Sequence, residues 1–314
     1  MPPPCALALL FALAVAPPAR AADPVKVFVL AGQSNMQGHG HVEAHAERNG
    51  GRGSLAHLAR DPGTAARFGQ LLDADGAWVR RDDVWISLRG AREANGPLAP
   101  GFGAREDAIG PELGFGHVVG DAFDEPVLLV KVAWGGKSLA VDFRPPSAGG
   151  EVGPFYTQLV EHVRDVLAHA GELHPALAER ELELAGFAWH QGWNDRIDQA
   201  FNEAYEENLT AFIHDIRREL GVPDLPFAIA ETGMSGPDET HPRALSLMAA
   251  QAAVAEREEF RGNVAFVATR AFWRPADQSP SAQGYHWNEN AETYWLIGEG
   301  LGRAMLQLVE ARSE

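Results

Sequence analysis

Cysteine is all but missing from this sequence. The single thiol, Cys5, sits in an apolar N-terminal stretch. The rest of the chain therefore has no disulfide, no thiolate nucleophile and no cysteine-bound zinc. Basic residues are also scarce: 26 Lys and Arg face 43 Asp and Glu, a net charge of −17. Such a surface repels nucleic acid and anionic membranes, so neither is expected as a partner. Neutral substrates such as acylated sugars remain open to it. There is no tandem repeat and no long low-complexity tract.

What is present begins with "MPPPCALALLFALAVAPPARAADP". Its apolar centre, residues 5–16, is followed by small residues around Ala21, the pattern of a secretory leader. The stretch is short against the roughly 20 residues that span a bilayer. We expect a signal peptide over 1–21, a secreted or periplasmic protein, and no stable membrane insertion after cleavage. Residues 22–314, in a chain with 46% hydrophobic residues, suffice for one large domain with a full core. The oligomeric state is not legible.

Short β-branched runs alternate with longer helical patterns. The strand candidates are 25–31, 83–88, 126–134, 182–190, 226–232 and 263–270. Runs such as "VLLV" are apolar on both faces, as a parallel sheet between helix layers requires. Helical patterns fall at 110–123, 155–170, 200–220, 244–258 and 289–311, with Pro111 suited to a first helical position. The alternation predicts an α/β fold, a three-layer, doubly wound, mostly parallel sheet. Residues 40–82 read as an inserted region of loops and short helices, and 94–109 and 142–153 as long loops.

Four strand ends hold the polar residues of interest. "GQSNM" places Ser34 just past the first strand, where ligands of open parallel sheets sit. A serine there is either a helix cap or a nucleophile in need of a base. "AWGGKSL" brings Gly135 and Gly136, whose N–H groups suit a developing anion. "HQGWND" brings Gln191, Trp193, Asn194 and Asp195. "QGYHWNENAETY" places His286 before the last helix.

These blocks, in this order, resemble the SGNH hydrolase superfamily, in the form of the sialate O-acetylesterase domain and the acetylxylan esterases of carbohydrate esterase family six. "GQSNM", "WGG", "GWND" and "HWNENAETYWLIGEGLGRAM" carry the likeness, which spans most of 25–307. The resemblance implies a flavodoxin-like SGNH fold and a carbohydrate O-acetylesterase working without a cofactor. It makes Ser34 the nucleophile and His286 the base. The oxyanion hole would draw on the Ser34 N–H, Gly135 or Gly136, and the Asn194 side chain. An acylated carbohydrate is the expected partner, with Gln33, Gln191, Trp193 and Trp287 as substrate contacts.

The family's pattern is broken twice. Many members have Asp three residues before the histidine, where this chain has Gln283, and relatives often have Glu where this chain has Trp193. Asp195 is the first candidate for the orienting acid, and Asp277 the second. A Ser–His dyad whose ring is oriented by a backbone carbonyl is the third. "HGHVEAHAE" contains His39, His41, Glu43 and His45. This loop cluster fixes no metal geometry by itself, and its side chains are expected to line the cleft or face solvent. A carbohydrate-binding protein on a retired scaffold and a broader lipase or thioesterase are the competing functions.

Overall fold

The computed structural model describes residues 23–178 and 180–313. The expected leader lies outside the described residues. The chain runs β1 (Val25–Gly32), α1 (Ser34–Gln37), β2 (Gly40–His41), α2 (Leu55–Arg60), α3 (Ala65–Phe68), β3 (Val84–Gly90) and β4 (Glu93–Pro97). It continues β5 (Ala108–Ile109), α4 (Pro111–Gly120), β6 (Val127–Ala133), α5 (Pro154–Leu173), β7 (Leu182–His190) and α6 (Trp193–Ile197). It ends α7 (Gln199–Glu203), α8 (Tyr205–Leu220), β8 (Phe227–Ala230), α9 (Pro242–Glu256), β9 (Val264–Val267) and α10 (Ala291–Ser313).

Seven strands form the main sheet in the order β4-β3-β6-β1-β7-β8-β9. All neighbours are parallel except β3 and β4. Five of them, β6-β1-β7-β8-β9, follow the flavodoxin-like 2-1-3-4-5 order. The β3–β4 hairpin widens this frame beyond β6. All six expected strands are present.

Side-chain alternation along the strands builds two cores. Phe28 and Leu30 of β1 face a cluster with residues of α2, α4 and α10, while Val25, Val27 and Val29 face α5, α8 and α9. The sheet is thus covered on both sides, and every residue of β6 is buried. Each fully buried Val or Leu in such a layer contributes about 1.5–3 kcal/mol.

Two expectations need correction. Residues 94–97 belong to β4, an antiparallel edge strand, not to a loop. "EANGP" is too polar and Gly/Pro-bearing to read as a strand, which suits only a sheet edge. The expected helix at 200–220 is two helices, because Asp198 caps α7 through the Phe201 N–H and the chain restarts at Tyr205.

Candidate active site

The 2-1-3-4-5 order reverses direction at β1, opening a crevice beyond the carboxyl ends of β1 and β7. The two strand ends are locked together there. The Gln33 N–H donates to the His190 carbonyl at 3.2 Å, and the Trp134 N–H donates to the Gly32 carbonyl at 3.2 Å. Gly32 is required at this junction, since a Cβ on it would lie 2.1 Å from the His190 carbonyl oxygen.

Ser34 is the first residue of α1, and Gln33 stands at the cap position without a side-chain capping bond. The serine is therefore not a cap. Its hydroxyl makes no protein hydrogen bond among the described residues, and its side chain is half-buried. Its N–H, first in the helix, has no intrahelical acceptor. Gly135, exposed at the end of β6, lies beside it: a Cβ on Gly135 would sit 3.7 Å from Ser34 Cβ. The N–H groups of Gly135 and Gly136 have no backbone acceptor among the described residues.

Asn35 joins this corner to the distant histidine segment. Its Nδ2 donates to the Tyr285 carbonyl at 3.0 Å, and its Oδ1 accepts from the Tyr294 hydroxyl at 2.9 Å. That same hydroxyl lies 3.3 Å from the His286 carbonyl. Ser34 and His286, far apart in the sequence, thus belong to one hydrogen-bonded corner. His286 is half-buried, and burial lowers its pKa, against the negative charge of Glu289. Its Nδ1 is buried without a hydrogen-bond partner. Directly after it, Trp287, Asn288 and Glu289 all take left-handed backbone angles, with φ of 53°, 54° and 56°.

Asn194 reaches the corner from α6. Its Nδ2 donates to the Gly136 carbonyl at 3.0 Å, and its Oδ1 accepts from Gln33 Nε2 at 3.2 Å. This orients one amide N–H and leaves the second available. Trp193 lies on the rim, its ring 5.9 Å from that of Tyr285, with the Arg196 guanidinium over its face, 3.8 Å from the ring centroid.

Several expected roles are corrected by this geometry. Asp195 is fully buried, and its oxygens accept from the Leu139 N–H, the Ala140 N–H and Gln191 Nε2, at 2.8, 2.8 and 2.6 Å. None of its hydrogen bonds goes to His286. It holds the loop that follows the glycine pair, and burial pushes its carboxyl up to about 6. Asp277 is exposed and makes no hydrogen bond to the ring. No backbone carbonyl accepts from His286 Nδ1 either.

Gln33 and Gln191 are clamps rather than substrate contacts. Gln33 Oε1 accepts from the Gly192 N–H and Gln191 Nε2, and both residues are buried. Trp287 has 0% exposure and packs in the core.

The histidine-rich loop divides. His39 lies flat on His286, ring centroids 3.8 Å apart and planes 8° apart. Burial first, and then His286, lower the His39 pKa to about 3. His41 is buried against Glu289 at 3.1 Å, and this bond holds the Glu289 pKa down at about 2. His45 is half-buried and lies 3.7 Å from Glu47. Among the described residues no group of three His, Cys, Asp or Glu is placed to hold a metal ion. From the sequence, His39 and His41 were expected only to line the cleft or face solvent, with a weak metal pattern, and Glu289 was missed altogether. The spacing His286–Glu289 across one turn was the available signal.

A serine-bearing turn at the switch point of a three-layer α/β sheet lies beside glycine N–H groups without a backbone acceptor and near a histidine, an arrangement that suits a carboxylic ester hydrolase. The chain belongs to the carbohydrate esterases described as sialic acid-specific acetylesterases, whose family model matches residues 24–307. The fold is similar to that of a protein from Arabidopsis thaliana, at 19% identity and TM-score 0.58, over 90% of this chain and 98% of that one. It is also similar to a carbohydrate acetylesterase from Xanthomonas citri, at 16% identity and TM-score 0.54. That match covers 92% of this chain and 56% of the other. No curated protein matches the sequence.

Proposed function

We propose that the protein is a secreted serine esterase that removes O-acetyl, or similarly short acyl, groups from carbohydrate through an acyl-enzyme. The observation that carries this reading is the Asn35 bridge, which binds the residue after Ser34 to the backbone at 285 and the tyrosine that touches 286. It supports a reading in which hydroxyl and imidazole share one crevice.

In the first step Ser34 Oγ attacks the ester carbonyl while His286 Nε2 takes the hydroxyl proton. The oxyanion is met by the Ser34 N–H, a Gly135 or Gly136 N–H and the free Asn194 amide hydrogen. Collapse expels the sugar alkoxide, which takes the proton back from His286. Water, deprotonated by the same ring, then attacks the acyl-serine; the C–Oγ bond breaks, the imidazolium returns the proton to Ser34 Oγ, and the carboxylic acid leaves. Trp193 and the exposed Tyr285 offer apolar ring faces beside the site for a sugar. The leader supports export.

The test is hydrolysis of acetylated sugars and of 4-nitrophenyl esters of increasing chain length by the purified protein. Ser34→Ala and His286→Ala are expected to abolish turnover while leaving the fold intact. Turnover retained in Ser34→Ala would overturn the mechanism. Sugar binding without turnover in the unaltered protein would favour a binding function instead.

A further inference from the structure

A histidine acting as base needs its ring held in one plane, and the imidazolium it becomes needs support. In this chain no carboxylate and no carbonyl meets His286 Nδ1 among the described residues. What meets the ring is another ring: His39, parallel to within 8° at 3.8 Å. Tyr285 closes a further side edge-on, with centroids 4.6 Å apart.

We propose that His39 is the positioning residue for His286, its stacked imidazole face taking over the work of the orienting acid that position 283 lacks. This rests on the reading of Ser34 and His286 as nucleophile and base. The flat contact prevents rotation of His286 about its Cβ–Cγ bond. When His286 takes the serine proton, the cation forms over the π face of an uncharged ring, an arrangement that favours it.

His39 suits that role because it stays uncharged. Burial keeps it neutral, and Arg105 and Lys131 add to the effect, with Glu289 opposing. The charges that bear on His286 itself are Glu289, which favours the imidazolium, and Arg105, which opposes it. A protonated His39 would repel the imidazolium, so its depressed pKa is a requirement of the device. Its place in the chain is set by the tight turn after α1, which returns the backbone from Gly38 past Gly110.

The experiment compares His39→Ala, His39→Leu and His39→Phe with the unaltered protein. One readout is kcat and KM on 4-nitrophenyl acetate. The other is the rate at which an alkyl fluorophosphonate labels Ser34, which reports serine activation whatever the natural substrate. Leucine fills the space without a π face; phenylalanine supplies one. Ala and Leu are expected to lower kcat and labelling roughly 5- to 30-fold, the range of a desolvated cation–π contact, with KM within about twofold. Phe is expected to retain most of both rates.

The acid limb of kcat/KM should move to lower pH in His39→Leu, since the imidazolium loses support. Native rates in His39→Leu, or an unmoved acid limb in that variant, would overturn the inference while leaving the esterase reading in place. Should His39→Phe fold yet match His39→Ala, the inference also falls. An unaltered protein that neither hydrolyses esters nor takes the label would remove both readings.

Discussion

Lys131 and Glu112 form an ion pair of 2.6 Å in which neither side chain is exposed. Lys131 spends its other donors on the carbonyls of Gln37 and Phe102, each at 2.7 Å. Glu112 accepts from the Gly110 N–H with its second oxygen. The pair therefore ties β6 and α4 to the end of α1, the helix that begins with Ser34. It gives "GPELG" a physical role: its glutamate answers a lysine placed inside an otherwise apolar strand.

Removing one member leaves the other charge buried alone. Lys131→Met is expected to cost about 3–5 kcal/mol, read from the midpoint of urea unfolding. Lys131→Met combined with Glu112→Leu should recover part of that loss. If the single variant unfolds at the native midpoint, the pair is not what holds α1 in place.

The two acids once in contention for His286 should behave differently. Asp195→Asn puts an amide hydrogen where a backbone N–H already donates. It is expected to destabilise by about 1–3 kcal/mol. Turnover should fall with it, through loosening of the loop at 137–140. Asp277→Asn, at an exposed site, should stay within about 0.5 kcal/mol of native stability and keep its rate. Thermal melts and kcat on one acetyl ester separate these outcomes.

Asn194→Ala tests the third oxyanion donor. Loss of such a donor costs roughly 100- to 1,000-fold in kcat. KM should change far less, because the bond strengthens only as charge develops. A kcat within fivefold of native would leave the two backbone N–H groups as the whole of the oxyanion hole.

Acid should weaken the fold before carboxylates titrate. His190 is fully buried with neither ring nitrogen bonded, and burial lowers its pKa to about 3. His117 falls to about 4 and His39 to about 3, both chiefly through burial. In the unfolded chain these groups titrate near 6.5, so the unfolded state binds more protons between the two values. Stability is complete above about 6.5 and falls as pH drops toward 3. Asp195, raised to about 6, works the other way as pH drops from 6 to about 4, but as one group against three. The melting temperature should fall steadily from pH 7 to pH 5, and less steeply in His190→Leu. A flat profile over that range would contradict the burial of these rings.

The fold was legible because hydrophobic periodicity is a local property. "VLLV" is apolar on both faces wherever it sits, and β7 begins and ends at the expected residues. The edge strand β4 was not legible, since its pairing with β3 comes from a neighbour and not from its own composition. The site divides in the same way. That Ser34, Gly135 and Asn194 follow strands, and that His286 precedes the last helix, could be read from the chain. What each polar side chain faces could not, because Asp195 and its rivals differ only in tertiary surroundings. A carboxylate near a motif looks alike on paper whether it serves an imidazole or two backbone amides. His39 was expected only to line the cleft or face solvent, whereas its ring lies flat on that of His286.

The three consecutive left-handed residues at 287–289 bear on how this enzyme comes alive. Side-chain-bearing residues disfavour that twist by roughly 1–2 kcal/mol apiece, so the segment has little reason to adopt it alone. Trp287 seated in the core and Glu289 fastened to His41 impose it from outside. The imidazole at 286 is thus delivered by the finished body of the protein, and catalytic competence on refolding should trail the recovery of bulk secondary structure.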